Sequence, residues 1–82
     1  MPLASVLGKN LRGIRASRDL DQVQFAALLR ITQSTVSAYE LGKVSLTLAT
    51  LEHLADRLHC EPWELLQDSE KKSRKSAEVL LQ

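Results

Sequence analysis

Gln33, Ser34, Thr35 and Ser37 are a run of short, uncharged hydrogen-bonding side chains inside the stretch Ala27 to Gly42, which reads ALLRITQSTVSAYELG. As a helix, this stretch has only Val36, Tyr39 and Ala38 for an apolar side and gathers the Gln, Ser and Thr side chains on another. Surface helices usually draw on Glu and Lys for solubility and propensity, so serines and threonines crowded into a turn and a half serve stability poorly. Part of the pattern is capping, because such side chains satisfy free N–H groups where a helix begins. The face as a whole fits a recognition chemistry better. In the major groove of duplex DNA, short polar groups reach base edges and phosphates.

Such a face needs elements to hold it in place. Ala27, Leu28 and Leu29 end one helical pattern, Arg30 and Ile31 form a turn, Thr32 caps the next helix, and Gly42 supplies a left-handed stop. This is the layout of a helix-turn-helix. Before it, Asp21 caps the helix from Gln22, which packs Phe25, Leu28 and Leu29 inward and puts Gln22 in a first turn that attracts phosphate. Before that, Leu3, Leu7, Leu11 and Ile14 mark one stripe of a first helix that stops at Asp19. Downstream, Thr47 caps a fourth helix with Leu48, Leu51, Leu54, Ala55 and Leu58 on one face. Pro62 then opens a short fifth helix, Pro62 to Gln67, presenting Trp63, Leu65 and Leu66. That is more apolar surface than so short a helix hides in a monomer, so these three residues are expected in a dimer interface.

The chain has 82 residues, 44% of them hydrophobic and only 4% aromatic, with no alternating β-branched run. An all-α domain with a core of Leu, Ala, Ile and Val follows. The expected domain is 3–67, with 68–82 a polar C-terminal tail or a short extra helix. The single cysteine, Cys60, excludes an internal disulfide framework and suits a reducing compartment. No stretch resembles a signal peptide or a membrane span, so a cytoplasmic protein is expected, with no membrane partner. Net charge is +1, divided as +3 over residues 1–43, −4 over 44–68 and +2 over 69–82. A basic half holding the polar face, joined to an acidic half, suits a protein that meets phosphates on one side.

Other chemistries find little support. His53, His59 and Cys60 match no common zinc spacing, so no metal site is expected. Nothing brings Ser, His and Asp together as a hydrolytic triad. Gly8, Gly13 and Gly42 provide no phosphate-cradling loop. No enzyme activity, cofactor or small-molecule ligand is expected. Trp63 reads as core or interface, since single-strand binders interleave several aromatics with basic residues. Lys71, Lys72, Arg74 and Lys75 read as a solvated tail, or as a source of non-specific attraction to DNA.

Residues 7–66 resemble the Cro and lambda-repressor-like helix-turn-helix domains. The resemblance rests on Leu11, Arg12, Ile14 and Arg15, on Leu20, Gln22, Phe25 and Ala26, on ITQSTVSAYELGK from Ile31 to Lys43, and on the leucine pattern Leu48 to Leu58 followed by PWELL. It implies a compact five-helix bundle and a homodimer that binds a partly palindromic operator in double-stranded DNA. It also implies base contacts from Gln33, Ser34, Thr35, Ser37 and Ala38. Phosphate contacts are implied for Gln22, which would also brace Gln33, and for Lys43; Arg12 and Arg30 are further phosphate candidates. Arg15 and Glu40 take positions that form an internal ion pair in several relatives. Asp19 and Arg30 stand where glycines are usual, and Leu46 where a loop proline is common. Ser37 and Ala38 replace longer side chains, which shifts weight from direct base contacts to DNA shape.

Two functions follow as expectations. One is a dimeric transcription regulator, a repressor or autoregulatory controller, that acts through occupancy of its operator. The other is an antitoxin or similar interaction module whose main partner is a toxin protein, engaged through the C-terminal tail.

Overall fold

In the computed structural model, which describes residues 2–68, helices α1 (Leu3–Ser17), α2 (Gln22–Leu29), α3 (Gln33–Glu40) and α4 (Leu48–Leu58) are followed by a 3-10 helix, Pro62–Leu66. No strand occurs among the described residues. Four α-helices and a 3-10 turn thus replace the five helices expected from the sequence. The last element stays short because Gln67 is already extended (φ −85°, ψ 130°). Its carbonyls are taken by a distant side chain: Asn10 Nδ2 on α1 donates to Leu65 O at 2.7 Å and to Gln67 O at 2.8 Å. Asn10 thereby satisfies carbonyls that further helical turns would have used. Of the segment 68–82, only Asp68 lies within the described residues.

Local chemistry sets the helix starts. Asp21 accepts from Gln24 N at 2.7 Å while Gln24 Oε1 accepts from Asp21 N at 2.9 Å, a reciprocal capping box. Thr32 Oγ1 accepts from Thr35 N at 3.2 Å, and Thr47 Oγ1 from Thr50 N at 3.1 Å. The helix ends share one geometry: Asp19, Arg30, Gly42 and His59 all have positive φ, from 57° to 70°. In each case the next residue's N–H closes onto a carbonyl five residues back, as from Leu20 to Arg15, Ile31 to Ala26, Lys43 to Ala38 and Cys60 to Ala55. This is the Schellman closure. The missing glycines at 19 and 30 leave it intact, and His59 is a third non-glycine in the same conformation.

The core gathers Leu7 and Leu11 of α1, Phe25 and Leu29 of α2, Val36 and Tyr39 of α3, the α4 leucines 51, 54 and 58, and Leu65. Three expectations are corrected here. Leu3 and Leu48 head their helices, ahead of the packed turns, and are 58% and 78% exposed. Leu28 is only half-buried, beside the fully buried Leu29. Leu65, expected in a dimer interface, is 1% exposed within the single chain. The 3-10 turn sends Leu65 inward against α1 and α4 and leaves Trp63 57% exposed, so these two residues cannot serve one interface.

Gly8 decides how closely α1 and α3 pack. A Cβ at this position would collide with the Tyr39 carbonyl oxygen and lie 3.0 Å from that of Glu40. Only a bare Cα lets the backbone of α1 rest on the last turn of α3. Helix α2 is held from its other end. His53 Nε2 lies 2.7 Å from Leu29 O and Arg57 Nε donates to Leu28 O at 2.9 Å, so two α4 side chains cap α2's terminal carbonyls.

Candidate nucleic-acid interface

The first turn of α3 projects from the bundle. Gln33 and Ser34 are exposed, while Thr35, Ser37 and Ala38 are half-buried along the same helix. The Thr32 hydroxyl lies 2.7 Å from that of Thr35 and 3.2 Å from that of Ser34. The Thr35 hydroxyl is therefore already engaged by the cap, whereas the exposed Gln33 takes no part in it. Val36 and Tyr39, both buried, anchor the opposite side of α3 in the core. Burial also raises the Tyr39 phenol above its ordinary value, so it stays neutral across the physiological range.

Behind Gln33 lies a continuous set of polar contacts. Gln33 Nε2 donates to Gln22 Oε1 at 2.8 Å, and Gln22 Nε2 donates to Glu40 Oε1 at 3.2 Å. Arg15 then grips both oxygens of Glu40, with Nε on Oε2 at 2.7 Å and Nη2 on Oε1 at 3.0 Å. Its Nη1 reaches the carbonyl of Leu20 at 3.2 Å. Three helices and the α1–α2 turn are tied through these groups. The Glu40 side chain is 6% exposed and that of Arg15 19%, so the pair is largely shielded from water. Burial by itself would raise the Glu40 carboxyl; the hydrogen bonds from Arg15 and Gln22, with the charges of Arg15 and Arg12, overcome it and hold the group below the usual glutamate value. The Arg15 guanidinium is raised in turn, chiefly by its bond to Glu40.

The basic candidates surround this set from separate elements. Arg12 is exposed on α1 and acts on Glu40 through its charge, Arg30 is exposed at the left-handed α2–α3 turn, and Lys43 is exposed just after Gly42. Gln22 is half-buried at the start of α2. Its link to Glu40, 18 residues apart in sequence, was not anticipated, and neither was the Asn10 clamp. Helical periodicity contains no signal for such pairs. His53 and Cys60, considered as ligands above, are occupied otherwise: His53 meets Leu29 O, and the half-buried Cys60 thiol is raised by burial and by the charge of Glu64.

Four helices with a left-handed turn between α2 and α3 and an exposed polar first turn on α3 define a helix-turn-helix protein. Residues 11–65 match the HTH_3 helix-turn-helix family, and the chain belongs to it. The fold is similar to that of the hypothetical transcription factor NHTF from Neisseria, with a TM-score of 0.79 and 25% identity over 89% of this chain and 84% of that one. It is also similar to the restriction-modification controller protein C.AhdI from Aeromonas hydrophila, with a TM-score of 0.67 and 32% identity over 76% of this chain and 94% of the other. Antitoxin PezA from Streptococcus pneumoniae is 28% identical over 54 residues, 66% of this chain. The matched stretch covers 34% of that antitoxin, about a third of its length. Among the described residues, no helix is long and apolar enough to cross a membrane.

Proposed function

We propose that this protein is a sequence-specific, double-stranded DNA-binding transcription regulator that acts as a homodimer on a partly palindromic operator, as a repressor or autoregulatory controller. The observation that carries this reading is Gln33, exposed on the first turn of α3 and braced by Gln22 at 2.8 Å. A glutamine held in this way is prepared to pair with a base edge without a further loss of side-chain freedom. Ser34, Ser37 and Ala38 continue the reading surface along the groove. Arg12, Arg30, Lys43 and the remaining N–H of Gln22 supply phosphate contacts that set the register without specifying sequence. Similarity to a transcription factor and to a restriction-modification controller protein supports this assignment.

For the dimer surface, exposed apolar residues take the place of Leu65. Trp63 is 57% exposed, and an open groove beside α4 is lined by Leu3, Leu46, Leu48 and Leu66. Together they leave more apolar surface on one small domain than solubility alone favours. The similarity to antitoxin PezA supports a second reading, an antitoxin whose tail, residues 68–82, engages a protein partner.

Selection from a random duplex pool at about 150 mM salt, where non-specific attraction is weakened, tests the proposal. Enrichment of a palindrome with half-sites about one helical turn apart is the expected result. Folded protein that enriches no sequence would sink the DNA reading in favour of the protein-partner one.

A further inference from the structure

Residues from the start of α1, the α3–α4 loop, the start of α4 and the 3-10 turn line an open groove with a volume of about 450 Å³. Clefts of about 300 to 1,000 Å³ are of the size that holds a ligand. Its apolar lining is Leu3, Val44, Leu46, Leu48, Leu51 and Leu66; Leu51 is buried, and Leu3 and Leu48 are exposed. The rim is electropositive. Two helices begin there, α1 at Leu3 and α4 at Leu48, neither with an acidic residue in its first turn, and Lys43 adds a full charge. Among the described residues, no carboxylate lines the groove. Its complement is an apolar segment that carries an acid.

The chain holds one within reach. Residues 77–81 read AEVLL, with Ala77, Leu80 and Leu81 at the spacing of one helical face and Glu78 off it. Leu66 itself lines the groove, and Asn10 fixes the carbonyl of Gln67 at 2.8 Å. Asn10 lies two turns along α1 from Leu3, about 10 Å at the helical rise. Residues 69–76 can span about 26 to 29 Å, so the segment returns to the groove with chain to spare. We propose that residues 77–81 of the same chain cover this groove, with Glu78 toward Lys43, and hold it closed to a second copy until concentration favours the dimer. A short tether presents its end at an effective concentration of millimolar order, an advantage that a second copy lacks. The competition rests on the reading of this groove as dimer surface; the covering does not. If the groove is open about a tenth of the time, the apparent dissociation constant of the dimer rises about tenfold for each groove it needs.

The test uses the full chain and the double variant Leu80→Asp with Leu81→Asp, which leaves every described residue unchanged, with folding followed by circular dichroism. Methyl resonances of Leu46, Leu48 and Leu66 report the groove, and those of the buried Leu54 serve as a reference. The groove methyls are expected to differ between the two proteins and the Leu54 methyls to coincide. The difference should persist on dilution to where the wild type sediments as a monomer. Folded variant with unchanged groove methyls overturns the proposal. A difference that vanishes as the wild type dissociates assigns the occupant to another copy and overturns docking within one chain. Sedimentation should show the variant dimerising about tenfold or more tightly. Equal dimer constants, with the groove methyls shifted, overturn the competition and place the dimer surface elsewhere. If neither protein dimerises at any concentration, the dimer reading itself fails, and the methyl comparison still decides the covering.

Discussion

Arg15 on α1 holds Glu40, the last residue of α3, with two charge-assisted hydrogen bonds, Nε to Oε2 at 2.7 Å and Nη2 to Oε1 at 3.0 Å. The two residues are 25 positions apart, so the pair fastens the last turn of α1 to the end of α3. Bidentate geometry makes arginine hard to replace here. Arg15→Ala leaves a shielded carboxylate without its main partner. It is expected to lower stability by about 2 to 4 kcal/mol, read from the urea midpoint. Arg15→Ala paired with Glu40→Ala should cost less than the two single changes added together.

Acid should weaken the fold through the same residue. The Glu40 carboxyl is held below its ordinary value in the folded chain, chiefly by Arg15 and Gln22 acting against its burial. A depressed folded value means that Glu40's contribution is complete above the unfolded value, about 4.3, and is lost as pH falls through the folded one. Urea midpoints should therefore decline below about pH 5, with a shallower decline in Glu40→Gln. Equal slopes in the two proteins would assign acid sensitivity to other carboxylates.

Gly8→Ala should be far more damaging than Gly13→Ala. A methyl group at position 8 meets backbone carbonyls of Tyr39 and Glu40, whereas nothing lies within 4 Å of one at position 13. Backbone cannot turn aside as a side chain can, so overpacking of about 1 to 3 kcal/mol is expected at Gly8. At Gly13, inside α1, alanine should stabilise by about 0.5 to 1 kcal/mol. Thermal melts of the two variants settle the comparison.

His59→Gly is expected to raise the melting temperature. His59 ends α4 at φ 57°, a conformation that costs a residue with a Cβ about 1 to 2 kcal/mol and glycine little. Greater freedom of glycine in the unfolded chain offsets part of the gain, leaving up to about 1 kcal/mol. A lower melting temperature would mean that the histidine ring stabilises the α4 terminus by contacts beyond its backbone.

Trp63 and Leu65 should separate association from folding. Trp63→Arg leaves the core untouched and is expected to yield folded monomers with weakened operator binding, seen by sedimentation and circular dichroism. Leu65→Asp buries a charge in a position 1% exposed and should unfold the chain instead. A Trp63→Arg protein that still sediments as a dimer would move the interface elsewhere.

What the sequence determined by itself was the order of the four α-helices and most of their ends, since these depend on residues within one turn of each other. Asp21, Thr32 and Thr47 cap α2, α3 and α4, and Asp19 and Gly42 take the left-handed stops, each through bonds spanning a few positions. The exposed run Gln33 and Ser34 was legible for the same reason: a helix face follows from spacing. Tertiary structure decided what depends on the path of the chain between distant elements. Five residues from Pro62 to Leu66 are too few to carry a helical period, so only packing against α1 and α4 could send Leu65 inward and leave Trp63 outside. Gly8 is an ordinary helix-weakening residue until α3 is laid across it. The join from Gln33 through Gln22 to Glu40 and Arg15 spans 25 residues and four side chains. Those four side chains come within hydrogen-bonding distance only once three helices have packed together, which no local pattern encodes.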